Sequence, residues 1–327
     1  MKKVRWGLLS TANINQRLIP AIRQSERGEL VAVASRSQES AAAYAQQWHI
    51  PQTFPSYAAM LESDAIDAVY IPLPNHLHAD WTIRALQAGK HVLCEKPFAL
   101  TLAEVDRMVA VANETGMVLA EAFMYRHHPQ TKLAGEMAHN GRLGDITLVQ
   151  SAFNFKMPTR DNIRLVPEYG GGCLWDVGIY PVSLAQYIMG GLPETVMGYQ
   201  LLGNTGVDEF FAGQLHYSNG RVTQISSSFM TPFYMMAEIL GTDGRLQITQ
   251  PFTNVAKSQM IFYPHDGDPE HINVPEDHLY LGEVEDMHAA ILDDKPNYLT
   301  LSETRRHVKT LLALYESAQK QQPVYLE

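Results

Sequence analysis

Short apolar runs alternate with longer amphipathic stretches through the first third of the chain. The runs that predict strands cover residues 4–9, 30–34, 66–73 and 91–93. Between them the spacing is helical, as where Leu18, Ile19 and Ile22 share one face. Parallel pairing through right-handed crossovers is the economical way to connect such units. This part of the chain therefore predicts a parallel α/β sheet, which binds ligands at the carboxyl ends of its strands.

The pattern changes near Glu121. Further apolar runs predict strands over residues 146–155, 196–202, 210–217, 222–229, 235–240 and 245–249. Turn signals separate them, such as Ser218-Asn219-Gly220. Helical stretches cover residues 130–140, 174–189, 281–292 and 302–320. The fold class is thus α/β, with a C-terminal domain built on a large, mostly antiparallel open sheet.

Composition narrows the range of functions. A length of 327 residues suggests two domains, since one domain takes about 150 residues. A net charge of -10 without a long basic run argues against nucleic-acid and anionic-membrane partners. The N-terminal apolar run stops at Leu9, and no run is long enough to span a bilayer. Cys94 and Cys173 are the only cysteines, so we expect a reducing, cytoplasmic compartment and no disulfide framework.

The most informative motif is Cys94-Glu95-Lys96-Pro97, directly after the fourth apolar run. A lysine at the end of a buried strand is costly to desolvate. A chain that keeps Lys96 there is therefore expected to use its charge or its proton.

The turn after the first strand is built from small residues, Ser10-Thr11-Ala12-Asn13, followed by Ile14. Dinucleotide-binding turns use glycines here, and Ser10 and Ala12 depart from that fingerprint. Small residues still allow the backbone amides at the start of a helix to bind an anion. The alternative is an ordinary helix cap by Ser10, Thr11 or Asn13.

Arg36 follows the second strand, between Ser35 and Ser37. An arginine there can pair with the 2'-phosphate of NADP, whereas NAD sites usually place an acid at this point. A solvated surface arginine is the alternative. The candidates at the end of the third strand are Pro72, Asn75 and His78. They can reach the nicotinamide half of a dinucleotide or cap the next helix.

Motifs in one order along nearly the whole chain resemble the Gfo/Idh/MocA oxidoreductases. Within that family the resemblance is to the branch of dimeric dihydrodiol dehydrogenase, NADP-linked xylose dehydrogenase and glucose-fructose oxidoreductase. The matching pieces are Arg5-Trp6-Gly7, Ala34-Ser35-Arg36, Pro74-Asn75 with His78, Cys94-Glu95-Lys96-Pro97, Glu121-Ala122-Phe123-Met124-Tyr125-Arg126 and Gly170-Gly171-Gly172-Cys173-Leu174-Trp175-Asp176-Val177-Gly178-Ile179-Tyr180-Pro181.

The resemblance implies a Rossmann-like dinucleotide-binding domain over residues 1–122 and a substrate-binding and dimerisation domain over residues 123–327. It implies NADP(H) as the favoured cofactor with NAD(H) also allowed, a sugar-like or cyclic diol substrate, and a homodimer formed through the open sheet. Together with the turns above, the candidate cofactor-binding residues are Ser10, Thr11, Ala12, Asn13, Ile14, Ser35, Arg36, Ser37, Pro72, Asn75, His78, Glu95, Lys96 and Glu121.

By the same resemblance, the catalytic residues are Lys96, Asp176 and the proton-transfer residue Tyr180. Many family members carry histidine where Tyr180 stands, and tyrosine is typical of this branch. Asp176 and Tyr180 are four residues apart, which places both on one helix face. Oxidising an alcohol requires a base, and a tyrosine of pKa about 10 needs a cation such as Lys96 to act as one. The alternative for Tyr180 is a core tyrosine with a satisfied hydroxyl.

The candidate substrate contacts are Tyr125, Arg126, Phe153, Arg160 and Asp176. Either arginine can instead pair with a structural carboxylate, and Phe153 can belong to the sheet core rather than to a cleft wall. The histidine pairs at residues 76 and 78 and at 127 and 128 lack a third ligand at suitable spacing, so no metal site is predicted.

These residues favour an NADP-dependent dehydrogenase or reductase over two alternatives. A glycosidase of the same superfamily uses tightly held NAD without net redox, and Arg36 argues against it. A non-catalytic, nucleotide-sensing regulator is expected to have lost the lysine or the proton-transfer residue. Both Lys96 and Tyr180 are present.

Overall fold

The computed structural model describes residues 2–253 and 255–326. Its strands are β1 Val4–Leu9, β2 Gly28–Ala34, β3 Gln52–Phe54, β4 Ala68–Ile71, β5 His91–Glu95, β6 Leu119–Ala122, β7 Ile146–Asn154, β8 Thr195–Leu202, β9 Asp208–His216, β10 Val222–Ser228, β11 Tyr234–Gly241, β12 Gly244–Ile248, β13 Met260–Pro264, β14 Glu270–His271 and β15 Val324–Tyr325. Its helices are α1 Asn15–Gln24, α2 Gln38–Trp48, α3 Tyr57–Leu61, α4 His78–Gln87, α5 Leu102–Thr115, α6 Met124–His127, α7 Pro129–His139, α8 Ile179–Met189, α9 Leu281–Asp293 and α10 Leu301–Lys320.

The chain divides into two compact units. The first comprises Met1–His127 with His278–Arg305, and the second His128–Asp277 with Arg306–Glu327. The domain boundary predicted at residue 122 missed that the chain later returns to the first unit, where α9 packs on α1 and β1. Nothing local in an amphipathic helix says which sheet it will cover. The assignment of cofactor and substrate binding to separate domains stays a prediction.

The first unit contains six strands in the order β3-β2-β1-β4-β5-β6, and all of its pairings are parallel. This confirms the Rossmann-like sheet. The strand order reverses between β1 and β4, which is where such sheets bind ligands at their carboxyl edge. β3 and β6 were not among the predicted strands.

A capping box fixes the start of α5 shortly after the Glu-Lys-Pro turn. Thr101 Oγ1 accepts from the Glu104 amide at 3.2 Å, and Glu104 Oε2 accepts from the Thr101 amide at 3.0 Å. The helix ends at Gly116, which adopts a left-handed φ of 68°. The turn is therefore held between a buried strand and a firmly capped helix.

The second unit contains nine strands in the order β14-β13-β12-β11-β7-β10-β9-β8-β15. Among the described strands of this unit, only β7 and β10 pair in parallel, which confirms the mostly antiparallel sheet. α8 packs on β7 and β10. Exposure alternates along β8, so that Met197, Tyr199 and Leu201 are exposed while Val196 and Gly198 are buried.

Among the described residues, no helix combines the length and the apolar character needed to cross a membrane.

Candidate active site

The turn between β1 and α1 offers a place for a phosphate group. Ser10 has a φ of 136°, a conformation that favours glycine, and Asn15 Nδ2 holds the turn by donating to the Ser10 carbonyl at 2.8 Å. No side chain of the described residues caps the start of α1 at Ile14. The amides of Asn15, Gln16 and Arg17 donate to the carbonyls of Ala12, Asn13 and Ile14 at 3.1, 3.3 and 2.9 Å, so this ten-residue helix offers an anion mainly the positive end of its dipole. Of the predicted caps, Ser10 Oγ accepts from the Ala12 amide at 3.2 Å, which lies in the turn before the helix begins.

Arg36 is exposed at the carboxyl end of β2, as predicted for a residue that pairs with a 2'-phosphate. The two serines beside it are engaged within the protein. Ser35 is buried, and Ser37 caps α2 by accepting from the Ser40 amide at 3.2 Å. Of the three, the guanidinium is the group best suited to bind a ligand.

These features fit a dinucleotide. A cavity of about 300 Å³ lies beside the turn, and its lining includes Thr11, Asn13, Gln16, Ser40, Tyr44 and Trp48. A helix N-terminus without a side-chain cap, small turn residues and an exposed guanidinium suit the phosphate groups of NADP.

The Glu-Lys-Pro turn is braced by a buried histidine. The peptide between Lys96 and Pro97 is cis. His78 Nδ1 lies 2.8 Å from the Pro97 carbonyl, and His78 Nε2 lies 2.8 Å from the Leu73 carbonyl. Because His78 is fully buried with both ring nitrogens so engaged, it supports the turn, and its contact with a cofactor stays a prediction. Burial lowers the pKa of His78.

Two acidic side chains, Glu95 and Glu283, influence each other electrostatically at the same turn. Glu95 accepts a short hydrogen bond from the Tyr70 hydroxyl, and Glu283 on α9 is 1% exposed. Burial raises the pKa of both carboxyl groups, and for Glu95 the neighbouring Lys96 opposes the rise. Sequence reasoning missed Tyr70 and Glu283, because a lone acid on an amphipathic helix carries no signal of burial.

The other candidates of the first unit are mostly buried. Pro72 is buried, and Asn75 is half-buried at the start of a short 3-10 turn. Glu121 is 1% exposed, and its Oε2 accepts from Thr304 Oγ1 at 2.9 Å. Contact of these residues with a cofactor stays a prediction.

Tyr125 and Arg126 are both buried, and their contact with a substrate stays a prediction. Arg126 is 1% exposed and forms an ion pair with Glu303 at 2.9 Å, which is the structural-carboxylate alternative for this arginine. The Tyr125 ring is fully buried and packs edge-on against Phe123 at 4.9 Å. Both side chains belong to the packing of the first unit.

In the second unit, one segment carries Asp176 and Tyr180. Leu174–Gly178 is wound as a π-helical turn, and α8 continues from Ile179, so the predicted helix is present with a wider first turn. π-helical turns are frequent at functional sites. Asp176 lies in that turn, and Tyr180 is 4% exposed at the start of α8.

Asp208 anchors this segment. It is 2% exposed and accepts from the Leu174 amide at 2.7 Å, from Tyr315 Oη at 2.7 Å and from Cys173 Sγ at 3.1 Å. Burial raises the pKa of Asp208. Sequence reasoning missed this residue, which stands at the start of β9 without any local motif.

The glycine run before the π-helical turn serves close packing. A Cβ on Gly171 would lie 2.6 Å from the Arg164 carbonyl, and the Gly172 amide donates to the same carbonyl at 2.9 Å. Gly172 has a φ of 127°. The segment around Arg164 is thereby laid directly against the start of the π-helical turn.

Arginines of this segment pair with carboxylates. Arg164 Nε donates to Asp176 Oδ2 at 2.6 Å, and sequence reasoning did not single out Arg164. Arg160 makes two hydrogen bonds to Glu209, at 2.6 and 2.7 Å, and it lowers the pKa of that carboxyl. Arg160 thus takes the structural-carboxylate alternative, and Asp176 keeps an arginine partner.

Phe153 packs directly on Tyr180. Their ring centroids are 5.3 Å apart, and Phe252 completes the group at 5.8 Å from Phe153 and 5.4 Å from Tyr180. Phe153 is 7% exposed. It therefore forms part of an aromatic cluster around the predicted proton-transfer residue.

Metal ligands do not gather in the described residues, where no group of three or more histidine, cysteine or acidic side chains is arranged to hold an ion.

Comparison with known proteins assigns the family. Residues 4–123 match the NAD-binding Rossmann fold of the GFO/IDH/MocA oxidoreductase family, and residues 131–247 match its C-terminal domain. D-xylose 1-dehydrogenase (NADP(+)) 2 of Haloferax volcanii is 37% identical over 98% of this chain and 99% of its own length. The chain belongs to the GFO/IDH/MocA family.

Other similarities of this GFO/IDH/MocA oxidoreductase extend to diol and keto-group enzymes. The trans-1,2-dihydrobenzene-1,2-diol dehydrogenase of Xenopus tropicalis is 32% identical over 75% of this chain and 74% of its own length. The crystal structure of a 3-ketoreductase from Actinomadura kijaniata in complex with NADP and TDP-benzene superimposes with a TM-score of 0.90 at 29% identity, covering 97% of this chain and 98% of that one.

Proposed function

We propose that this oxidoreductase transfers a hydride between NADP and a hydroxyl or carbonyl carbon of a sugar, a sugar derivative or a cyclic diol. The observation that carries the proposal is the full-length similarity to an NADP-linked xylose dehydrogenase. The exposed Arg36 guanidinium at the end of β2 supports NADP over NAD.

When bound, the nicotinamide supplies the carbon that accepts or returns the hydride. We assign the accompanying proton to Tyr180. In the oxidative direction its phenolate takes the substrate's hydroxyl proton as the C–H bond breaks and the carbonyl forms, and in reduction the phenol returns that proton. The Lys96 ammonium stabilises the phenolate. Asp176, held by Arg164, orients the substrate hydroxyls.

The first test is turnover by the purified protein with NADP or NAD across aldoses, inositols, a trans-dihydrodiol and a nucleoside-diphosphate ketosugar. Lys96→Met and Tyr180→Phe are each expected to lower kcat by about 10²–10⁴-fold. Tyr217→Phe is the matched control, because Tyr217 is a buried tyrosine of the same unit outside the aromatic cluster. Activity of both site variants within tenfold of wild type would refute the assignment.

We also propose a cytoplasmic homodimer, formed through the open face of the nine-stranded sheet. Two buried, unbridged cysteines agree with a reducing compartment. On the sheet face, Tyr199 and Tyr234 are 58% and 53% exposed. Large exposed apolar side chains on one face are typical of an interaction surface.

A polar row crosses the same face beside these apolar positions. Its cross-strand neighbours are Gln214, Gln224, Gln150, Glu238 and Gln247. Gln150 Nε2 donates to Gln224 Oε1 at 2.7 Å, and Gln247 Nε2 donates to Glu238 Oε1 at 3.0 Å. A face that mixes apolar side chains with such a row matches the mixed polarity of protein interfaces.

Molar mass by light scattering tests the dimer. Tyr199→Glu is expected to shift the protein to monomer, since it places a charge within the apolar part of the interface. Ile163→Glu is the control, because Ile163 is 52% exposed on a loop of the same unit, away from the sheet. A wild-type protein of monomer mass, or a Tyr199→Glu dimer, would contradict the proposal.

A further inference from the structure

One exposed aromatic side chain lies apart from the open sheet face. Tyr234 pairs with Asn154 across β11 and β7, and the next pair is Met235 with Phe153. Successive side chains point to opposite faces, so Tyr234 lies on the open face and Phe153 on the face that carries α8. The ring of Phe233 meets Phe153 edge-on at 6.4 Å and 81°, and it therefore belongs to the α8 side.

Phe233 extends the aromatic cluster of Tyr180 to the surface. Phe252 is fully buried, Tyr180 and Phe153 are 4% and 7% exposed, and Phe233 is 52% exposed. The rings thus form a continuous path from the core to the surface, in which Phe153 lies between Phe233 and the predicted proton-transfer residue Tyr180.

Hydrogen bonds from a neighbouring segment of the same chain hold the start of the turn that carries Phe233. The Phe155 amide donates to the Ser228 carbonyl at 2.9 Å, and the Met157 amide donates to the Phe229 carbonyl at 2.9 Å. Pro232, directly before Phe233, restricts the backbone further. A large aromatic ring on a restrained turn loses little entropy when a ligand packs on it.

We propose that Phe233 is a specificity-determining residue, which packs on the apolar C–H face of a ring-shaped substrate held at Tyr180. This inference rests on the proposed function of Tyr180. Small-molecule sites combine aromatic walls with a few polar groups, and a pyranose or a cyclic diol offers one apolar face beside its hydroxyls. The ring selects for a cyclic substrate, while the polar residues select for its hydroxyls.

Steady-state kinetics on the ring substrate that wild type oxidises best test this role. Phe233→Ala is expected to raise KM about tenfold, the factor that corresponds to the loss of one good aromatic contact, and to change kcat less than about twofold. Phe233→Trp keeps the aromatic face and is expected to stay within about twofold of the wild-type KM. Met230→Ala is the control, because Met230 is 54% exposed on the same turn. Thermal unfolding checks that each variant is folded.

The outcomes separate this inference from the function on which it rests. An unchanged KM in Phe233→Ala, with an active wild type, would overturn the role of Phe233 and leave the proposed function standing. A fall in kcat at constant KM would also overturn it, because that result shows an effect on Tyr180 through packing. A wild type that binds NADP but oxidises no ring substrate would overturn both.

Discussion

Replacing Gly172 by alanine tests how the segment that carries Asp176 and Tyr180 is held. Gly172 has a φ of 127°, and a Cβ there would lie 2.0 Å from Asp208 Oδ1 and 2.9 Å from Tyr315 Oη. The carboxylate must therefore move, and the hydrogen bonds that it accepts are disrupted.

Two contributions set the size of the effect. The backbone conformation costs an alanine about 1–3 kcal/mol. Displacing Asp208 leaves the Leu174 amide and the Tyr315 hydroxyl without their buried acceptor, at about 1–3 kcal/mol each. Because the surroundings relax in part, we expect a total of about 4 kcal/mol, or about 10 °C in Tm.

Gly206→Ala is the matched control. Gly206 also has a positive φ, of 90°, but a Cβ there has no described atom within 4 Å, so the expected cost is about 1 kcal/mol. Thermal and urea unfolding give the stabilities, and turnover at a temperature where Gly172→Ala is still folded gives the effect on the site. If the two variants differ by less than about 1 kcal/mol, Asp208 does not anchor the segment.

Further predictions concern charge. Burial lowers the pKa of His288 to about 4. As the pH falls below about 6.5, the unfolded chain therefore binds this proton before the folded protein does, which favours unfolding. In urea titrations between pH 7 and pH ~4, the free energy of unfolding of wild type should fall by about 3 kcal/mol more than that of His288→Gln. Equal losses of unfolding free energy in wild type and His288→Gln would contradict this. Arg36→Ala should lower the NADP/NAD ratio of kcat/KM at least about tenfold, and an unchanged ratio would remove its role. Arg164→Met deprives Asp176 of its ion pair and should lower kcat/KM about tenfold. Arg142→Met, which breaks an exposed ion pair with Glu270, is the control and should leave kcat/KM unchanged. Equal effects of the two substitutions would refute the role of Arg164.

The strands that could be predicted have enough buried positions to leave a pattern, but β6 and β13, with four and three buried positions, were not predicted. The four runs of the first third correspond to β1, β2, β4 and β5, and the later runs correspond to β7–β12. Gln52–Phe54 is three residues long, and β14 and β15 have two each, too few for any periodicity. These edge strands form only because a longer strand is already there to pair with.

The site could be predicted where position in the fold decides a role. Lys96 and Arg36 follow strands of a parallel sheet, and the carboxyl-edge rule places both at its ligand-binding edge. The roles of His78, Arg126 and Asp208 depend on distant partners, which lie 19, 177 and 34 residues away along the chain. Without the fold, nothing distinguishes such a buried polar residue from a ligand contact.

The return of the chain to the first unit also sets the charge beside Lys96. Glu283 comes from α9, and neither of its carboxylate oxygens accepts a hydrogen bond from the described residues. Glu95 receives one from Tyr70 and has Lys96 as its neighbour. Burial and the charge of Glu95 raise the pKa of Glu283 well above its ordinary value, whereas Lys96 and the Tyr70 hydroxyl oppose the rise in the pKa of Glu95. The electrostatics of the Glu-Lys-Pro turn thus depend on a helix that a boundary at residue 122 assigns to the other domain.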